Sequence, residues 1–247
     1  MINASVYIIT QDEEKYISRC LDSVKEFAEI VVVDSGSSDN TLEIARKYTN
    51  NIYHKEFIDY AKQKEYAKNL CTNKWVLNLD ADEILSNELK NEIILTIKND
   101  DFDALEVKIS SMYIGKFNKY GRFIKRIRFF KKEMGYYPQK IVHESISFQG
   151  RVKKSKNFIY DYGSDEIKTQ ISKLNNYSTL RATEKFKKGK KSSNLKLFGI
   201  FLVTFFKIYI FRRNFLNGKR GFILAMNLSY YAFLKEAKLY EMYKKNI

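Results

Sequence analysis

Cysteine, histidine and proline are all scarce in this chain of 247 residues, which holds two, two and one of them respectively. The two thiols, Cys20 and Cys71, stand far apart, each inside an apolar periodic segment. They exclude a disulfide-stapled scaffold and a cysteine-rich zinc module, and read as core residues of a protein in a reducing compartment. A single proline alongside 15% aromatic residues argues against disorder. No glycine-rich loop of the triphosphate-binding kind is present among the ten glycines. No signal peptide is expected, because the apolar run Val6 to Ile9 is short and acidic residues follow it. Internal repeats and low-complexity tracts are also absent.

Charge is plentiful, and unevenly placed. The net charge is +15. Residues 151–247 hold 22 Lys or Arg and 6 Asp or Glu, a net of +16, whereas residues 1–150 are nearly neutral at −1. Such asymmetry points to a polyanionic partner: nucleic acid, an acidic membrane or an anionic glycolipid.

Hydrophobic periodicity organises the first 100 residues into alternating strands and helices. Ser5 to Thr10 reads as a buried strand, Lys15 to Phe27 as a helix, and Glu29 to Asp34 as a second strand. The loop Ser35 to Thr41 opens a helix from Leu42 to Tyr48, with Asp39 or Ser38 as its cap. Ile52 to His54 is a short third strand and Tyr60 to Cys71 a third helix. Trp75 to Leu79 is a fourth strand, and a helix follows from Asn87 to Lys98. This order predicts an α/β fold with a mostly parallel sheet and helices on both faces. After residue 100 the alternating stretches Asp103 to Ser110 and Phe123 to Phe130 predict mixed or antiparallel strands, and Ile141 to Ile146 is a further short extended candidate. From Asp165 onward helical spacing dominates. The expected division is 1–160 for an α/β catalytic domain and 161–247 for a basic helical region.

The carboxyl end of the fourth strand carries the chemistry. Asp80 and Asp82, two residues apart on an extended chain, project the same way at the sheet edge where α/β proteins bind ligands. Paired carboxylates repel unless a cation lies between them. A hard ion, Mg²⁺ or Mn²⁺, is the natural partner, with substrate phosphates completing its shell. The plain alternative has Asp82 capping the helix that begins near Ser86.

Three segments together resemble the inverting family 2 glycosyltransferases of GT-A fold: the first strand with Thr10 and Glu13, Val33 to Thr41, and Leu79 to Glu83. The chain is more narrowly similar to bacterial lipopolysaccharide inner-core glucosyltransferases, through Arg128-Phe129-Phe130-Lys131, Val142-His143-Glu144 and Asn217 to Phe222. The resemblance implies that Thr10, Glu13 and Asp39 hold the uracil and ribose of a UDP-sugar, and that Asp34 braces the loop. It also implies that Asp80 lies near the ribose or donor sugar and that Asp82 holds the metal bridging both phosphates. Lys64 occupies a position where relatives carry a basic residue, a further donor to the phosphates. The chain departs from the pattern at Glu65, where relatives have Asn, and at Asp161, where many have His. Displacement at an anomeric carbon needs a general base. Glu144 is the first choice and Asp161 the second, with His143 binding the metal or holding Glu144.

Leu195 to Phe211 is the most apolar stretch, interrupted by Lys196 and Lys207. It falls short of the ~20 residues of a spanning helix, and reads as an in-plane interfacial helix flanked by Lys185 to Lys191, Arg212-Arg213 and Lys219-Arg220. A core helix is the alternative. The expected setting is the cytoplasmic face of an inner membrane, with an anionic surface and a lipopolysaccharide-core or other glycolipid acceptor as partners. Two rivals use the same features: a nucleotide-binding protein with a basic nucleic-acid tail, and a nucleotidyltransferase. The first lacks a compact recognition motif, so no nucleic-acid partner is expected; the second lacks a triphosphate loop.

Overall fold

A computed structural model describes residues 1–118, 120–121, 123–138, 145–163 and 166–245. The chain divides into two compact units. Residues 1–110 and 123–163 form the first, and residues 111–122 and 164–247 the second.

The first unit begins with alternation of the expected kind: β1 (Ile2–Thr10), α1 (Ile17–Val24), β2 (Phe27–Asp34), α2 (Thr41–Ala45), β3 (Ile52–His54), α3 (Tyr60–Leu70) and β4 (Trp75–Asp80). β2 and β4 both pair parallel with β1, and β3 pairs parallel with β2. The run then turns through Ala81 and Asp82 into β5 (Glu83–Leu85) and α4 (Asn87–Asn99). Ser86, not Asp82, caps α4, its hydroxyl accepting the Leu89 N–H at 3.2 Å.

Beyond α4 come β6 (Ala104–Tyr113), β7 (Lys116–Phe117), β8 (Ile124–Lys131), β9 (Gly135–Tyr136), β10 (Ser147–Phe148) and β11 (Val152–Asp161). The alternating stretches are antiparallel as expected: β8 pairs with both β4 and β6 in that sense, and β11 with β5. Across the main sheet the order is β3-β2-β1-β4-β8-β6-β11-β5.

Alternation along β4 explains why helices cover both faces. Leu77 and Leu79 join α1, α2 and α4 in one apolar cluster, through Cys20, Leu21, Ala45, Leu89 and Ile93. Val76 faces the other way and joins Tyr7, Ala61, Ala67, Cys71 and Phe130 on the α3 side. Trp75 stacks on Phe129 with ring centroids 4.8 Å apart. Both cysteines are buried and free, as their apolar settings predict. Burial pushes the Cys71 thiol up to about 12.

The second unit holds α5 (Ile167–Lys187), α6 (Asn194–Phe206), a π turn over Lys207–Phe211, a 3-10 turn over Asn214–Asn217 and α7 (Gly218–Lys245). Ser193 starts α6 by accepting the Lys196 N–H. Asn194–Phe211 spans 18 residues with mean hydropathy 1.6, and only 6% of it is buried. Two sequence expectations are thereby corrected. The stretch is long and apolar enough to cross a membrane by length and composition, and it is not a core helix, since Leu195, Phe198, Leu202, Val203 and Phe211 are all exposed.

The Asn217 to Phe222 motif has a structural part within this unit. Asn217 donates to the Tyr120 carbonyl at 3.0 Å, and Arg220 to the carbonyls of Tyr113 and Lys116. Gly221 is required by close approach, because a Cβ there would lie 1.8 Å from the Asn214 carbonyl oxygen.

Candidate active site

The ends of β1 and β2 lie side by side, Thr10 opposite Asp34. Asp34 binds its own loop: Oδ2 accepts the N–H groups of Gly36 (2.8 Å) and Ser37 (2.9 Å), and Oδ1 accepts the Ser37 hydroxyl at 2.5 Å. It therefore braces the loop, as the resemblance implies. Asp39 fastens this loop to the one after β1. Its Oδ1 accepts the N–H and hydroxyl of Thr41, and its Oδ2 the Glu14 N–H at 3.1 Å. Burial opposes ionisation of Asp39, but these hydrogen bonds overrule it and hold the carboxyl below its ordinary value.

Glu13 contributes through its backbone, its N–H donating to the Thr41 hydroxyl at 2.8 Å. Asp12, which sequence reasoning passed over, accepts the Ser38 N–H at 2.7 Å from a left-handed backbone (φ 54°). Two polar loops are thus zipped together at the carboxyl edge of the parallel strands. Thr10 is buried beneath them, its Oγ1 without a hydrogen-bond partner among the described residues.

Asp80 and Asp82 both lie beside Glu83, but they have different hydrogen-bond partners. Asp80 ends β4 and turns to the α3 side, where Lys64 reaches Oδ1 at 2.9 Å and Arg128 reaches Oδ2 at 3.1 Å. The expected repulsion is resolved here by cations that the chain itself supplies. Glu83 completes the group: Oε1 accepts Arg128 at 2.6 Å and Oε2 accepts the Asp80 N–H at 2.9 Å. Asn78 adds a third acceptor for Arg128, at 2.5 Å. The result is a quartet of two cations and two carboxylates, buried except at Asp80, which keeps 34% of its side-chain surface.

Its ionisation follows from position. Burial opposes the charge on Asp80, but Lys64 and Arg128 hold its carboxyl far below the usual range. Burial lowers Lys64, and Asp80 more than compensates, leaving the ammonium above its ordinary value. Burial, with Asp80 and Asp82 beside it, pushes the Glu83 carboxyl up against the pull of Arg128. Glu65, beside Lys64 in sequence, pairs instead with Lys68 at 2.9 Å and accepts the Tyr137 N–H.

Asp82 has further neighbours of its own. It lies in the turn between β4 and β5, and its carbonyl accepts the Tyr162 N–H at 3.0 Å. Gly163 packs so closely that a Cβ on it would stand 1.8 Å from Asp82 Oδ2 and 3.3 Å from Asp161 Oδ1. Asp161 Oδ1 in turn accepts the Gly163 N–H at 2.8 Å. Asp82 and Asp161, 79 positions apart in the chain, therefore converge on one glycine through the pairing of β5 with β11. Glu144 and His143 lie outside the described residues.

The donor set at Asp82 suits a hard divalent ion. Mg²⁺ commonly takes one or two carboxylates and completes its shell with water and substrate phosphates. Among the described residues no group of three or more His, Cys, Asp or Glu side chains is arranged to hold a metal. A site of the one-or-two-carboxylate kind is compatible with that, whereas Asp80 already faces two cations.

Comparison with known proteins bears on this arrangement. The sequence model described as Glycosyl transferase family 2 matches residues 5–158. An uncharacterized glycosyltransferase of Rickettsia typhi is 34% identical over 261 residues, covering 100% of this chain and 89% of that one. The lipopolysaccharide core biosynthesis glycosyltransferase LpsC of Rhizobium meliloti is 32% identical over 251 residues, covering 96% and 92%. Among solved structures, S. aureus TarS 1-349 in complex with UDP-GlcNAc superposes with a TM-score of 0.51 at 18% identity, covering 98% and 92%. That likeness is one of fold.

Proposed function

Because this chain belongs to glycosyl transferase family 2 and is a glycosyltransferase, we propose that it moves a hexose, glucose in the first instance, from a UDP-sugar to a lipopolysaccharide-core heptose or similar glycolipid, with inversion and with a divalent metal. The observation that carries the reading is the convergence of Asp82 and Asp161 beside Gly163, next to a strand edge whose loops are already braced. LpsC supports the acceptor class by its name, and TarS was captured with a UDP-sugar.

We assign the roles as follows. Asp82 holds Mg²⁺ or Mn²⁺, which when bound stabilises the diphosphate leaving group electrostatically. Asp80 stays with Lys64 and Arg128, near the donor sugar. Thr10, Glu13 and Asp39 frame the uracil and ribose through the zipped loops. Asp161 takes the proton of the acceptor hydroxyl, with Glu144 as its rival and His143 beside that rival. The exposed helix of residues 194–211 carries Lys196 and Lys207 within its apolar run and basic residues on both sides, so it lies in the plane of an anionic membrane on its cytoplasmic face rather than across it.

UDP release by purified protein, with UDP-glucose, acceptor and Mn²⁺, tests the proposal. Asp82→Asn and Asp161→Asn should each lower kcat by about 10²–10⁴, the range associated with general acid–base catalysis and charge stabilisation. Asp161→Asn should leave UDP affinity unchanged. Normal turnover by Asp161→Asn, with loss in Glu144→Gln, would transfer the base to Glu144. Pyrophosphate in place of UDP would revive the nucleotidyltransferase.

A further inference from the structure

The second unit contains a cavity remote in sequence from every residue of the candidate active site. It lies between the last turns of α5 and the middle of α7, has a volume of about 270 Å³, and is lined by Arg181, Glu184, Lys185, Lys188, Lys190 and Lys235. Five cations thus surround it against one lining carboxylate. Glu184 binds Arg181 and Lys188, each at 2.6 Å. The buried Glu236 side chain binds Lys185. Two carboxylates therefore serve three of the cations, and Lys190 and Lys235 add charge beyond that balance.

Lys235 experiences the excess. Burial, then Lys185 and Arg181, depress its ammonium below the ordinary value, and Glu236 only partly offsets them. Its Nζ lies 5.9 Å from the Tyr231 ring centroid, so the aromatic wall of the cavity favours the same cation.

We propose that this cavity binds the phosphomonoester headgroup of an anionic membrane lipid. A phosphomonoester carries close to two negative charges and three acceptor oxygens on a small centre, which suits convergent ammonium groups. A liquid-like share of about 30 Å³ per water leaves room in the cavity for the phosphate and part of a glycerol. A nucleic-acid strand would instead require a continuous track with several rings for base stacking, and among the described residues Tyr231 is the only ring lining this half-open site. The lipid assignment comes from position: Lys190 stands four residues before α6, whose Leu195, Phe198 and Leu202 are exposed. Headgroup and acyl region would then be met by consecutive parts of the chain. The ligand class rests on the membrane reading given above; the basic cavity does not.

Vesicle co-sedimentation of the full-length protein tests this. Phosphatidylcholine vesicles carrying phosphatidic acid, a phosphomonoester, are compared with vesicles of equal surface charge carrying phosphatidylglycerol, a phosphodiester. Wild type should prefer phosphatidic acid, and inorganic phosphate should compete. Lys190→Gln/Lys235→Gln should lose roughly thirtyfold on phosphatidic acid, from about a fivefold effect per basic group. The same variant should lose much less on phosphatidylglycerol. Lys168→Gln/Lys244→Gln changes the same charge on exposed positions outside the cavity and should keep the preference. Lys190→Gln alone, at an exposed residue, guards against misfolding of the double variant. Equal losses on both lipids, or an equal loss in the control pair, would reduce the site to diffuse attraction and overturn the proposal. Phosphate binding without any lipid preference would make it a soluble-anion site and overturn the lipid assignment. Failure of wild type to bind either vesicle would instead sink the membrane reading.

Discussion

Replacing Arg128 with Met removes the guanidinium from the buried quartet while keeping much of its volume. Arg128 and Glu83 keep only 7% and 4% of their side-chain surface, and lie 2.6 Å apart. Deleting one partner of such a pair leaves a buried charge uncompensated, at a cost of about 3–5 kcal/mol. That is a large part of the roughly 5–15 kcal/mol that holds a domain together. The loss should depend on pH, and its sign is determined by Glu83. Arg128 is the group opposing the upward push on the Glu83 carboxyl. Without it the folded-state value rises further above the unfolded value of about 4.3. The folded variant then binds more protons than the unfolded chain between those two values, so its stability falls as pH rises through that window. Because the wild-type Glu83 carboxyl is itself pushed up to about 8, the difference between the two proteins develops above that pH, and urea denaturation at pH 7.0 and pH 9.5, followed by circular dichroism, should show Arg128→Met losing more at pH 9.5. Adding Glu83→Gln should recover part of the loss and flatten the pH dependence. A penalty below about 1 kcal/mol, or one that is larger at pH 7.0, would refute this account of the quartet.

Two other perturbations read different parts of the fold. Gly163→Ala inserts a methyl 1.8 Å from Asp82 Oδ2, so one of the two must move; UDP-glucose turnover should fall at least tenfold, since ~1 Å of displacement at a reacting centre costs that much or more, and unchanged kcat would separate Gly163 from the site. Cys20 and Cys71 are buried with thiols pushed well above their ordinary value, so both should resist a thiol reagent in the native state and react only on unfolding. Rapid native labelling of either would contradict the packing around it.

The parallel half of the sheet was legible because its signals are local. Apolar runs marked β1, β2 and β4, and helical spacing marked α1, α3 and α4, with boundaries shifted by up to three residues. Asp34 was legible too, since it bonds residues two and three positions ahead. Arg128 was quoted only as part of a motif, although an arginine between the apolar residues of a strand is itself a sign of a buried acid partner. Its partners lie 45 to 50 positions away, and antiparallel pairing of β8 with β4 brings them into reach.

The same distinction applies to Asp80 and Asp82. Composition, periodicity and the order of strands were enough to determine an α/β domain followed by basic helices, because burial of apolar faces is written residue by residue into the chain; the glycosyltransferase reading came from the resemblance of three short acidic segments. Whether neighbouring carboxylates share a task is decided by what the rest of the molecule brings to them. The turn after β4 sends Asp80 toward Lys64 and Arg128, and the β5–β11 pairing delivers Asp161 and Gly163 to Asp82. Electrostatic partners act through space, and only the folded chain sets those distances.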